Sequence, residues 1–142
     1  ARFHQMHYSS LLARQKQVEL KRLSLSKPLL ILSGGETTVQ VRGQGRGGRN
    51  TEYLLSLCWH LQGQTGISAL AIDTDGIDGS ENNAGASINA TTLQRAAQLG
   101  MSAQNYLDNN DAYSFFAALD DLIITGATRT NVNDFRAILV EV

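Results

Sequence analysis

Residues Thr38–Thr51 read TVQVRGQGRGGRNT, an alternating run, then four glycines and three arginines, then the start of an amphipathic stretch. Val39 and Val41 alternate with Gln40 and Arg42, the pattern of a strand with one wet face. After the loop, Tyr53, Leu54, Leu57, Cys58 and Leu61 fall on one stripe at helical spacing. Asn50 is placed to cap that helix, and Gly63 to close it. Glycine lets a backbone come close to a ligand, and arginine makes forked hydrogen bonds to phosphate or carboxylate oxygens. A loop made of both, opening a helix, predicts an anion site. The same residues fit a dinucleotide fingerprint, Gly43-x-Gly45-x-x-Gly48 with Asp73 closing the next strand. They also fit a plain glycine turn with solvated arginines.

Outward from this loop the chain alternates strands and helices. Leu29–Leu32, after Pro28, is a continuous apolar run consistent with a buried strand, and Ile67–Ile72 is another. Ala84–Ile88 predicts a short strand, residues 91–99 a helix ending before Gly100, and Asp111 a cap for a helix carrying Phe115, Phe116 and Leu119. Leu122–Ile124 and Phe135–Val142 complete the set. The expected fold class is α/β, a mostly buried sheet flanked by helices. It forms a single compact domain over residues 28–142, behind a basic helical extension or linker over residues 1–27. The polar segments Ser33–Thr38, Arg42–Glu52, Asp73–Asn83, Asp108–Asp111 and Gly126–Asp134 lie between apolar runs. In open α/β sheets such loops gather in a crevice at the carboxyl ends of strands.

Composition narrows the function. The 142 residues are 42% hydrophobic and carry a net charge of −1. The first 27 residues hold six basic groups and the acid Glu19, and all three lysines lie among them. Phosphoryl-transfer sites commonly place a lysine on the phosphates. If this chain serves that chemistry, its lysine lies elsewhere. The basic stretch could touch nucleic acid, but a solvated helix is the expectation, with no nucleic-acid partner. No apolar run reaches the roughly 20 residues of a membrane span. The single Cys58 excludes an internal disulfide, and a cytoplasmic location is expected. With no signal peptide visible and Ala first, the chain reads as part of a longer protein.

Asp73-Thr-Asp75-Gly-Ile-Asp78 resembles a calcium loop but lacks Gly at the sixth position and Glu at the twelfth, which excludes an EF-hand. Its carboxylates could still hold Mg²⁺, or could cap a tight turn. Thr128–Asp134 is rich in hydroxyls and amides, suited to ligand oxygens or to loop backbone. His4 and His7 have no third ligand beside them. His60 and Cys58, on the helix, read as structural.

Taken together, Ser33-Gly-Gly-Glu36-Thr37-Thr38, Arg42–Asn50, Thr74-Asp75-Gly-Ile-Asp78-Gly, Asp108-Asn-Asn-Asp111 and Thr130-Asn131-Val-Asn133-Asp134 resemble the MOFRL domain. That domain is the C-terminal part of the class II glycerate 2-kinase family, often labelled hydroxypyruvate reductase. The resemblance covers about residues 28–142. The family pattern has proline and glycine where this chain has Ala127 and Arg129.

The resemblance implies ATP-dependent phosphorylation of D-glycerate or a similar hydroxy acid, with Mg²⁺. The cleft would be shared with a preceding Rossmann-like domain that supplies the lysine. Neither cofactor is expected to bind tightly to this chain alone. Arg46 and Arg49 would hold the carboxylate or the transferred phosphate as the catalytic pair, with Gly43, Gly45, Gly47 and Gly48 as the phosphate loop. Glu36, Thr37, Asn50, Asp75, Asp78, Thr130, Asn131 and Asp134 would line the substrate site, Asp75 and Asp78 as candidate metal ligands. Two other functions stay open at this point: an NAD(P)-dependent hydroxypyruvate reductase domain, and a non-catalytic anion-binding module.

Overall fold

In the computed structural model of the chain, residues 15, 16 and 26–142 are described, so most of the basic extension lies outside the described residues. Five strands form one sheet: β1 (Leu29–Gly35), β2 (Ile67–Asp73), β3 (Gly85–Ile88), β4 (Leu122–Ile123) and β5 (Asp134–Val140). Among residues 26–142, four helices accompany them: α1 (Arg49–Leu61), α2 (Thr92–Gln98), α3 (Ala103–Asp108) and α4 (Ala112–Ala118). The strand order is β1-β5-β2-β3-β4, and every neighbouring pair is antiparallel. The expected α/β architecture with helices flanking a sheet is present, without parallel neighbours.

One face of the sheet is covered. Ile67, Ala69 and Ala71 of β2, Ala86 and Ile88 of β3, and Ile138 and Val140 of β5 are buried in one cluster with α1. α1 packs on β2 and β3 and is touched by α2, α3 and α4, so its residues are buried on nearly every side. Phe115 meets both Phe116 and Tyr106 edge-on, at 5.3 and 5.6 Å between ring centres.

The other face carries Leu30 and Leu32 of β1, each 57% exposed, with Phe135 and Leu139 of β5. Leu70, Ala137 and Leu139 line a hollow of about 370 Å³ there. The run Leu29–Leu32, expected to be buried throughout, therefore alternates, with Leu29 and Ile31 packed against the core and Leu30 and Leu32 outward.

The strand expected at Val39–Val41 does not form, and α3 was not legible as a helix. The reason for the first is local. Gln40 and Arg42 use their backbone groups on the side chain of Asn110 instead of on a neighbouring strand.

Candidate functional site

Antiparallel pairing decides where the polar motifs meet. β1 and β2 both run opposite to β5, so their carboxyl ends lie beside its amino end, with Gly35 and Asp73 each opposite Asp134. The start of α1 reaches the same rim. There Arg49 donates from Nε to Asp134 Oδ1 at 2.7 Å and from Nη2 to Asp73 Oδ2 at 2.5 Å. Its Nη1 lies 4.0 Å from Glu36, whose side chain is 61% exposed. Burial disfavours the Arg49 charge. The hydrogen bond and charge of Asp134, then the charges of Asp73 and Glu36, outweigh this and hold its pKa above the usual value. Arg136, stacked over Tyr53 and donating to Gly34 O, lies 3.5 Å from Asp134 on the other side.

The Gly/Arg loop differs from the expected phosphate cradle. Arg42 N and Gly43 N donate to Asn110 Oδ1 at 2.6 and 2.9 Å. Gln44 N donates to Asn109 Oδ1, Gly45 N to Asn109 O and Arg46 N to Asp111 Oδ1. Five successive amides are thus already engaged by one turn of the same chain. The glycines serve that contact. A Cβ on Gly43 would sit 2.2 Å from Asn109 O, one on Gly45 2.3 Å from Asp111 Cβ, and one on Gly48 2.4 Å from Asp78. The close approach read from the sequence is real, but it is chain against chain. Outward the loop presents Arg42, Gln44 and Arg46, the Arg46 guanidinium lying over Tyr113 at 4.9 Å and 3.8 Å from Glu81.

Asp78 is also reassigned. It is fully buried, and its oxygens accept from Asn50 N, Asn50 Nδ2, Thr51 N and Thr51 Oγ1 at 2.8–3.2 Å. It caps α1, whose first turn offers unpaired N–H groups and the positive end of the helix dipole. Asn50, the expected cap, instead lies inside the first turn behind Gly48. Burial nevertheless raises the Asp78 pKa, against those hydrogen bonds. With both oxygens engaged, Asp78 is not a metal ligand. Asp75 holds Ile77 N in a tight turn, and among the described residues no group of three or more His, Cys, Asp or Glu is arranged to hold a metal ion.

Of the other expected site residues, Thr37 and Asn50 are buried and donate to Asp134, so they set the rim and do not line it. Thr130 and Asn131 are exposed, in a loop tied to the Asp73–Asp75 turn through Thr74 and Thr128. Arg129 has a φ of 61°, the left-handed region that suits the glycine of the family pattern.

Sequence reasoning missed Asp73 as a partner of Arg49, Arg136, and above all Asn110 and Glu52. Glu52 follows Arg49 on α1, accepts from Asn110 Nδ2 at 3.1 Å, and borders a hollow of about 100 Å³ with Arg49, Gly47 and Val39. Burial, and after it the charge of Asp78, push its carboxyl up to about 7, against the Asn110 hydrogen bond.

The MOFRL family description matches residues 29–134. The chain belongs to the MOFRL family. Among MOFRL relatives, D-glycerate 2-kinase of Thermotoga maritima is 41% identical over 119 residues, covering 84% of this chain and 28% of that protein. A putative hydroxypyruvate reductase of Agrobacterium vitis is 52% identical over 122 residues, covering 84% of this chain and 32% of the relative. The crystal structure of Thermotoga maritima glycerate kinase superposes with a TM-score of 0.87 at 36% identity, covering 94% of this chain and 33% of that one. The chain therefore spans about a third or less of the length of these relatives. Among the described residues, no helix is long and apolar enough to cross a membrane.

Proposed function

We propose that this chain is the MOFRL portion of a glycerate 2-kinase and supplies one wall of the site where ATP phosphorylates D-glycerate. The observation that carries this reading is the likeness to Thermotoga maritima glycerate kinase, in fold and sequence, over nearly the whole chain. The rim chemistry agrees. Arg46 offers an exposed guanidinium, 58% accessible, restrained by Tyr113. Arg49 has two of its nitrogens fixed by Asp134 and Asp73, and Nη1, 4.0 Å from Glu36 and beyond hydrogen-bond distance of it, is the one that can donate to a carboxylate or phosphoryl oxygen. A donor fixed beforehand stabilises developing charge without reorganising during the reaction. Glu36, exposed beside Arg49, can orient a substrate hydroxyl, and Thr130 and Asn131 are exposed in the loop that Thr74 ties to the end of β2.

The residues present do not build a magnesium site. Asp78 is engaged in capping, Asp73 and Asp134 are tied to Arg49, and no three-residue ligand group exists among the described residues. The metal and the phosphate-binding lysine belong, on this reading, to the rest of the protein.

The names of the Agrobacterium relatives favour a second reading, reduction of hydroxypyruvate with a nicotinamide cofactor. Glycerate and hydroxypyruvate share the carboxylate that Arg46 and Arg49 would bind. Against it, the glycine fingerprint that would hold a pyrophosphate has its amides engaged by Asn109–Asp111. The test is the full-length protein assayed with ATP plus D-glycerate, beside NAD(P)H plus hydroxypyruvate. ADP and phosphoglycerate are expected from the first mixture. NAD(P)H oxidation without glycerate phosphorylation would replace the kinase reading with the reductase one. The 142-residue chain alone should show neither activity.

A further inference from the structure

The segment Asp108–Asp111 is where the Gly/Arg loop is held, and one side chain in it does most of the holding. Asn110 accepts Arg42 N and Gly43 N on Oδ1, and donates from Nδ2 to Gln40 O at 3.4 Å and to Glu52 Oε1 at 3.1 Å. All four hydrogen-bonding positions of its amide are filled, which only Asn can do at this length. Its φ of 53° lies in the left-handed region, where Asn is among the few side chains tolerated. Ionised Glu52 holds the amide in this orientation, because a carboxylate accepts only from the nitrogen end, while Arg42 N and Gly43 N take the oxygen end. Glu52 itself sits on α1 one turn after Arg49.

We propose that Asn110, oriented by Glu52, is a positioning residue that sets the register of the Arg42–Arg46 loop on α1 and so places Arg46 and Arg49 relative to each other. Both Asn110 and Glu52 are buried, unlike the exposed Arg46 and Glu36. Asn110 is almost wholly buried beneath the loop. Its removal frees two amides at the loop's start, while Asn109 and Asp111 still hold the middle and end. The expected result is a loop that shifts without detaching. A displacement of about 1 Å in such a group is enough to cost about 100-fold in rate.

The test uses Asn110→Ala, Asn110→Asp, and the double variant Asn110→Asp/Glu52→Gln in the full-length protein. Asn110→Asp keeps the acceptor for the two amides but sets a carboxylate against Glu52. Adding Glu52→Gln restores a donor–acceptor pair in reversed sense, with Gln Nε2 donating to the new carboxylate. Hydrogen exchange read by mass spectrometry should rise at least tenfold over residues 40–47 in both single variants, return toward the parent in the double variant, and stay unchanged over β2 and β5. Unaltered exchange at 40–47 in Asn110→Ala overturns the proposal, and so does exchange that rises across the whole sheet in all three variants.

The catalytic consequence rests on the kinase reading, so the parent is assayed beside the variants. An inactive parent overturns that reading, and the exchange experiment still decides the clasp. With an active parent, kcat/KM for glycerate should fall about 10- to 100-fold in Asn110→Ala and recover in the double variant. Unchanged kinetics alongside a loosened loop would overturn the positioning role.

Discussion

Glu52→Gln should make the protein more stable, and by an amount that depends on pH. The side chain is 3% exposed, and its carboxyl is raised from the ordinary 4.5 to about 7, first by burial and then by Asp78. Each pKa unit corresponds to about 1.4 kcal/mol, so the ionised form costs about 3 kcal/mol in the folded state. The direction follows from proton counts. Between pH 4.5 and 7 the folded chain binds more protons at this site than the unfolded chain, so stability falls as pH rises through that window. Below it both states are protonated, and Glu52 carries no penalty.

Gln has the same shape, keeps an oxygen for Asn110 Nδ2, and does not ionise. The two proteins should therefore unfold alike near pH 4.5, and the variant should gain up to about 3 kcal/mol by pH 8. Asp78 and Asp73 are also raised by burial and tilt both curves in the same direction. Urea unfolding of parent and variant at half-unit steps from pH 4.5 to 8.5 reads the difference directly. A gap that is constant with pH, or a variant less stable than the parent at pH 8, would refute the reasoning.

Three further outcomes follow from the geometry. Arg49→Ala should lose about 3 kcal/mol in urea unfolding, because buried Asp73 loses its counter-ion and buried Asp134 keeps only Arg136; Arg49→Lys should recover less than half, and a loss under about 0.5 kcal/mol would show the bridges to be dispensable. Gly43→Ala should cost much more stability than Gly100→Ala, since the first Cβ meets backbone at 2.2 Å and the second meets nothing within 4 Å at a φ of 70°; equal melting temperatures would contradict this. Cys58, buried and raised to about 12 by burial and then by Asp121, should resist iodoacetamide at pH 8 in the native protein and react once unfolded; rapid native labelling would overturn that assignment.

The parts of the fold set by local pattern were legible. β2, β3, α2, α4 and β5 fall within a residue or two of the spans read from periodicity and capping. Pairing was not legible, because the apolar run Leu29–Leu32 looks the same whether both its faces are covered or only one. The rim was half legible. Arg49 and Asp134 announce themselves as charged residues in polar motifs, but Asp78 reads as a metal ligand until the start of α1 is seen lying on it. A glycine loop that approaches a phosphate has the same composition as one that approaches another turn of chain. Only the positions of Asn109, Asn110 and Asp111 separate the two.

The place of β5 between β1 and β2 also governs how the molecule comes into being. β5 is the last described strand, yet it is the one that joins β1 to the rest of the sheet. Thr37 meets Asp134 across 97 residues. During synthesis, β1 and β2 therefore emerge without their shared neighbour, with bare edges that invite pairing with other chains. Contacts so distant in sequence make closure slow. The carboxylate that holds Arg49 arrives on the same strand, so a chain stopped before Asp134 lacks both the seam of its sheet and the counter-ion of its rim. The site and the sheet are completed together, when β5 pairs with β1 and β2.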